Sequence, residues 1–215
     1  MIGILCAMED EAKMIIEKYN LKLDKKIKEL KIYQWENIVL IIAWIGKIQA
    51  TIATMFLLNY GPFEKIINIG IAGNTGKQPA KAGDVFLVNE VFQHDMYLPF
   101  EWSHLDYAKK SIKIKVFSIK AEGVNIFEKA ICATWDQFID NREKIKQIVE
   151  KNWANVVEME AFAFLSVLRE FNLLDKAIVI KSVSDTADEN AHTEHEFNLD
   201  LAMENGVKVL NEIIS

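Results

Sequence analysis

The run Ala177-Ile-Val-Ile-Lys-Ser-Val183 is apolar and β-branched apart from Lys181 and Ser182, and it stops abruptly at Ser184-Asp185-Thr186-Ala187-Asp188. A run of this kind is a strand buried on both faces, which is the strand type of an α/β sheet covered by helices. Ligands of such sheets bind beyond the carboxyl ends of the strands. Asp185 therefore stands where a carboxylate can face a ligand in a partly dry pocket. A strand-end aspartate also serves as a helix cap or in an Asx turn, and Asp185 and Asp188 are both open to that use.

The rest of the chain repeats the alternation of strand and helix. Strands are expected at Ile2 to Ala7, Leu30 to Trp35, Ile38 to Trp44, Lys65 to Ile69, Asp84 to Val91, Ile112 to Ile119, Ala130 to Ala133 and Ala154 to Val157. Helices are expected after Met8-Glu9-Asp10-Glu11, after Gly46-Lys47, after a capping Asp140, over Ala161 to Phe171, and from about His195 to Ile214. Acids in a first helical turn suit the helix dipole. That accounts for Glu9 and Asp10 better than for Glu11, a third carboxylate that adds repulsion. In the second helix Ile48, Ile52, Met55, Phe56 and Leu57 recur at helical spacing and read as core. Lys22 to Lys28 reads as a solvated basic run, and Gly70 to Gly76 as a glycine-rich loop. With no linker or repeat, residues 1–215 form a single α/β domain.

Composition narrows the function. Thirty-one acids against 25 bases give a net charge of -6, so no nucleic-acid partner is expected. No apolar run is long enough to span a bilayer, and the start lacks a basic leader segment. Cys6 and Cys132 lie in apolar strand contexts, which fits core residues in a reducing cytoplasm. No Cys-x-x-Cys or His-Glu-x-x-His occurs, so no metal is expected. His192 and His195 read as part of a solvated helix start, and His94 and Asp95 as outside the chemistry.

Glu11, Glu160 and Asp185 thus lie at three strand-to-helix junctions. The order Ala7-Met-Glu-Asp-Glu11, Gly70-Ile-Ala-Gly73, His94-Asp95, Val157-Glu-Met-Glu-Ala161 and Ser184-Asp-Thr-Ala-Asp188 resembles the nucleoside phosphorylase family over nearly the whole chain. Within it the chain is most similar to the bacterial 5'-methylthioadenosine/S-adenosylhomocysteine nucleosidases. The resemblance implies a three-layer sandwich with a central mixed, twisted sheet. It also implies hydrolysis of a ribose–adenine bond without a cofactor, in methionine salvage, by a homodimer whose apolar loop Met96 to Trp102 lies at the interface. By the same resemblance Asp185 protonates N7 of the leaving purine, Ser184 orients it, and Glu11 activates the attacking water. Glu160 holds the ribose hydroxyls, Met159 lies against the ribose, Phe138 stacks on the base and Ile139 offers backbone groups to its edge. Met8 and Ile45 form apolar wall.

The chain departs from that pattern in four places. Ile71 replaces a small hydroxyl residue, Asn74 a glycine and Trp135 a glycine, so the purine pocket is expected to be reshaped. The region from His94 to Thr134 is shorter than is usual and lacks a helix. A phosphate-dependent purine nucleoside phosphorylase is the nearest competitor, but it needs cations for phosphate. The only arginines, Arg142 and Arg169, are expected inside helices and away from the strand ends. The same residues would also suit an aminodeoxyfutalosine nucleosidase or a non-catalytic nucleoside-binding protein. Glu11 beside Asp185 argues against the non-catalytic protein, since binding alone needs no water-activating base.

Overall fold

The computed structural model describes residues 1–96, 100 and 111–215, with backbone alone at 151–152. Ten strands form one mixed sheet: β1 Ile2–Cys6, β2 Lys22–Ile27, β3 Leu30–Trp35, β4 Ile38–Ile42, β5 Lys65–Asn74, β6 Val85–Gln93, β7 Ile112–Lys113, β8 Ile126–Thr134, β9 Val156–Glu158 and β10 Ala177–Asp185. The helices are α1 Glu9–Lys18, α2 Lys47–Leu58, α3 Arg142–Asn152, α4 Ala161–Glu170 and α5 Ala191–Ile214.

β10 is buried along its whole length and β5 from Ile66 onward, as strands covered on both faces must be. They run parallel, with Ile66 to Gly73 beside Ala177 to Asp185. The other edge of β5 is shared, by β1 over Lys65 to Asn68 and by β9 over Gly73 and Asn74. From β10 the sheet continues through β6 and β8 to β9, so one half closes on β5. β4, β3 and β2 extend from β1 as an open wing. α2 and α4 cover one face through a core containing Leu57, Phe164, Leu165 and Leu168. α1 and α5 cover the other through Ile15, Met203, Val209 and Leu210. The layers are helix, sheet and helix, as expected. Among the described residues no helix is long and apolar enough to cross a membrane.

Several expectations need correction. The glycine-rich segment is strand: β5 continues through Gly70 and Gly73 to Asn74, which bonds Ala80 O and closes the turn that follows. The basic run from Lys22 is an exposed strand, held in the sheet by pairing with β3 although its side chains face water. Of the Ile112–Ile119 segment Ile112 and Lys113 alone are strand, and the Ile114 amide adds one bond to Asn89 O of β6. The cap of α3 is Asn141, whose side chain accepts from the amides of Glu143 and Lys144, and Asp140 is not used. α5 begins four residues earlier than expected, at Ala191.

The core face of α2 also differs: of the five residues expected in the core only Leu57 is buried. Ala50, Ala53, Thr54 and Leu57 are buried, while Ile48, Ile52, Met55 and Phe56 are exposed. Small side chains let this helix lie close to its neighbours, so its large apolar side chains point outward. Most of the stretch Met96 to Trp102 lies outside the described residues, as does part of the His94–Thr134 region that was expected to be short and to lack a helix. Met96 and Phe100 are described, and both are exposed.

Candidate active site

The ends of β5, β8, β9 and β10 meet around a cavity of about 660 Å³. Its walls include Glu11 from the start of α1, Ile71 and Gly73 from β5, Phe138 and Ile139 after β8, Met159 and Glu160 after β9, and Ser184 and Asp185 from β10. Met8, Ile45 and His195 complete the rim. All nine residues expected at the site therefore line one cavity. Among the described residues, no lysine or arginine lines it.

Glu11 is buried at the third position of α1. Its Oε2 accepts from the Met8 amide at 2.9 Å, closing the first turn as a capping-box glutamate does. Its Oε1 accepts from the Ile71 amide at 2.9 Å. The side chain of Ile71, unlike a hydroxyl, adds no polar contact here, so the backbone of β5 makes the bond. Asp185, 4% exposed, accepts from Ser184 Oγ at 2.6 Å through Oδ2 and from the Ala187 amide at 2.8 Å through Oδ1.

β5 runs between the strands that carry these two acids, and its glycines make the room. A Cβ on Gly70 would sit 2.7 Å from Glu11 Oε1, and one on Gly73 would sit 2.9 Å from Asp185 Oδ1 and 2.8 Å from Ala187 Cβ. All three distances are shorter than van der Waals contact. The glycine spacing thus serves the approach of carboxylates to a strand.

Glu160 and Glu158 flank Met159 at the β9–α4 junction. Glu160 Oε1 accepts from the Gly46 amide at 2.9 Å. Burial, and then the charge of Glu158, push the Glu160 carboxyl up to about 8, although Lys181 and the Gly46 amide work the other way. Glu158 Oε2 accepts from the Glu160 and Ala161 amides at 3.0 and 2.8 Å and pairs with Lys181 Nζ at 2.8 Å. Thr134 Oγ1 donates to its Oε1. Burial alone would raise Glu158, but Lys181 and these donors outweigh it and hold it below the usual carboxylate range. Glu158 is thus the structural member of the pair. Lys181 is fully buried and its ammonium is held above its ordinary range: desolvation works against the charge, and Glu158 and Glu160 overcome it.

The open side is aromatic and apolar. Phe138 and Ile45 are 40% and 46% exposed. Ile139 instead turns its side chain into a small core with Phe92, Ala133 and Ala187. Trp135 does not line the cavity, contrary to the expectation of a reshaped pocket; its ring packs on His94, 4.9 Å between centroids. Asp95 is occupied by Lys47 Nζ at 2.6 and 2.8 Å, which ties the start of α2 to the end of β6.

His195 is the functional candidate that the sequence pattern did not single out. Its Nδ1 lies 3.9 Å from Asp185 Oδ2 and its ring meets Phe138 edge-on at 5.6 Å. His192, three residues earlier, is exposed as expected. Arg142 is nearer a strand end than expected: it bonds Asp188 at 3.0 Å beyond β10, without reaching the cavity. Among the described residues no group of His, Cys, Asp and Glu is arranged to hold a metal.

The phosphorylase superfamily model matches residues 1–215. The chain belongs to the phosphorylase superfamily. A 5'-methylthioadenosine/S-adenosylhomocysteine nucleosidase of Buchnera aphidicola subsp. Acyrthosiphon pisum is 31% identical, covering 93% of this chain and 91% of that relative. An aminodeoxyfutalosine nucleosidase of Helicobacter pylori is 24% identical over 99% of this chain and 97% of the relative. Among solved structures, a 5'-methylthioadenosine/S-adenosylhomocysteine nucleosidase from Neisseria meningitidis, in complex with methylthio-immucillin-A, superposes with a TM-score of 0.87 at 26% identity. That likeness covers 99% of this chain and 97% of the other. Superfamily membership agrees with the mixed sheet and with the cavity at its strand ends.

Proposed function

We propose that this chain hydrolyses the N-glycosidic bond of a 5'-substituted adenosine and releases adenine. The substrates in view are methylthioadenosine, adenosylhomocysteine and aminodeoxyfutalosine. The observation that carries the reading is the pairing of two buried carboxylates, Glu11 and Asp185, in one cavity without a lysine or arginine in its described walls. Glycoside cleavage needs an acid for the leaving group and a base for water, and a phosphorylase would need cations where the described walls of this cavity have no lysine or arginine.

In this reading Asp185, oriented by Ser184, gives its proton to N7 as the bond to C1' breaks. Glu11 takes a proton from the water that adds to C1'. Glu11 is already held by two amides, and a carboxylate has room for a further donor. Glu160 accepts from the ribose hydroxyls, and Phe138 covers the purine. Ile139 offers its backbone to the base edge, since its side chain is engaged elsewhere. Met8, Ile45 and Met159 close the apolar wall. The test is adenine release from methylthioadenosine and adenosylhomocysteine with and without phosphate. Adenine release that depends on phosphate would replace hydrolysis by phosphorolysis, and no release from any of the three substrates would overturn the reading.

The same reading includes a homodimer in a reducing cytoplasm, where Cys6 and Cys132 stay free and buried. Ile48, Ile52, Met55 and Phe56 form one exposed apolar face of α2. An apolar groove with Met96, Phe162, Val167 and Phe171 lies beside it. A second copy covers this face, and the Met96–Trp102 stretch belongs to the same contact. Sedimentation of the parent and of Ile52→Glu checks it; a parent that is monomeric at micromolar concentration with full activity would remove the dimer.

A further inference from the structure

Asp185 poses a problem of proton supply. If it is the acid, as proposed above, each turnover leaves it as a carboxylate that must be reprotonated before the next. Its two hydrogen-bond donors do not carry protons from water: one is the Ala187 amide and the other is Ser184 Oγ, on a fully buried residue. Glu11, on the other side of β5, ends the same turnover with the proton taken from water and must lose it.

His195 is placed to close this cycle. Its side chain is one-quarter exposed while Asp185 is almost wholly buried. It lines the cavity and also an outer shelf formed with Asp10 and Lys13 of α1 and with His192, Glu196 and Asp200 of its own helix. Beside it Glu194 is tied to Thr186, both to the amide and to the hydroxyl at 3.0 Å, and does not face Asp185. The separation of 3.9 Å exceeds a hydrogen bond and is closed by a small rotation of the ring or by one water. Imidazole takes up and releases protons near neutral pH, and its two nitrogens let it do so on opposite sides.

We propose that His195 returns the proton to Asp185 after each turnover. It acts through Asp185 and is not a group that attacks the substrate. The Asp185 O–H bond breaks and the purine N7–H bond forms. Water adds to C1' and its proton passes to Glu11, then to solvent. The proton on Nδ1 of His195 moves to the Asp185 carboxylate, and the imidazole takes another from the shelf. No net proton is consumed.

The experiment follows His195→Ala and His195→Phe by rapid-mixing measurement of adenine. With Asp185 entering as the acid of the proposed reading, the first turnover uses its own proton. His195→Ala should therefore give a burst of about one adenine per site and then a steady rate at least roughly tenfold below the parent, within the range for loss of a proton-transfer group. Added imidazole should restore that steady rate in proportion to its concentration. Pyrazole, a ring of the same size but a far weaker base, should not. His195→Phe keeps the aromatic packing on Phe138 and should show the same burst and slow phase. A steady rate equal to the parent's, a rate reduced from the first turnover onward, or the absence of imidazole rescue would each overturn the proposal. A parent that releases no adenine would overturn the hydrolase reading along with it, so the two failures are distinguishable in one assay.

Discussion

Glu158 and Glu160 are two residues apart, buried alike, and opposite in behaviour. Glu158 also touches the cavity wall, but its carboxylate is taken up by Lys181, Thr134 and two amides, which hold it ionised. Glu160 faces the cavity with one amide for a partner and is pushed up to about 8. The difference is a division of labour across one strand end. The inner carboxylate is fully satisfied and fixes the backbone at residues 160 and 161. The outer one is left short of donors and so is free to take hydroxyls from a ligand. Glu11 and Asp185 fall on the outer side of the same division, because each faces the cavity and, among the described residues, neither is paired with a lysine or arginine.

The largest expected effect is on that outer side. Asp185→Asn keeps the shape of the acid but removes its proton, so kcat for adenine release should fall by roughly two to four orders of magnitude. Melting temperature should change far less. A rate within about tenfold of the parent would return Asp185 to the outside of the chemistry.

The inner side should respond in stability. Lys181→Met leaves Glu158 buried without its cation, and breaking such a pair from one side costs about 3–5 kcal/mol. For a chain of this size that is roughly 6 to 20 °C in Tm. Adding Glu158→Gln to Lys181→Met should recover part of the loss, since the stranded charge is gone. A single variant that melts within about 2 °C of the parent would show that the pair is dispensable.

How much of this was legible in the sequence follows the same line between inner and outer. Asp185, Glu11 and Glu160 could be found because each lies at a strand-to-helix junction inside a motif that resembles the family's, although Glu9, Asp10 and Glu158 share those junctions and position alone does not separate them. Lys181 has the opposite signature. It stands inside an apolar strand, and only a neighbour from another strand, Glu158 on β9, makes a buried ammonium tolerable. Such a partner is invisible along the chain. His195 was hidden by a helix boundary: with α5 starting at Ala191, residue 195 falls a full turn in, on the side facing Phe138. The face of α2 was misread because periodicity marks where apolar residues recur, not which of two faces meets the sheet. Ala50 and Ala53 pack inside, and Ile48 and Ile52 lie outside. The fold itself was more legible than its edges, since the apolar stretches Ile66 to Ile69 of β5 and Ala177 to Ile180 of β10 mark buried strands whatever surrounds them, while the glycine-rich half of β5 does not.

Glu160 offers a finer test of the outer side through ligand binding. Its ionised form accepts two ribose hydroxyls, whereas the protonated form is a poorer acceptor. With the carboxyl pushed up to about 8, KM should fall as pH rises from 6 to 8, by at most about tenfold per unit, and level off above. Glu160→Gln should have a higher and flatter KM over the same range. A parental KM that is flat from pH 6 to 8 would place the ribose elsewhere.

The smallest effect is the stability counterpart of that titration, and its sign is fixed by linkage. The Glu160 carboxyl is raised in the folded chain, from an ordinary value of 4.5 to about 8. Between those values the folded chain holds a proton that the unfolded chain has released, so stability declines as pH rises and becomes level once Glu160 is ionised in both states. The other shifted groups in the interior do not titrate in this window. Glu158 is lowered and ionises at more acid pH, and Lys181, Cys6 and Cys132 are all raised well above it. Between pH 7 and pH 8 the ligand-free parent should lose about 1 kcal/mol from this source, or roughly 2–4 °C in Tm. Glu160→Gln has no such proton to lose. The measurement is Tm of both proteins across the window, and the informative quantity is their difference, which cancels titrations elsewhere on the surface. That difference should move in favour of Glu160→Gln as pH rises. A difference independent of pH would mean that Glu160 is ionised throughout, and the contrast with Glu158 would then lie in their partners alone.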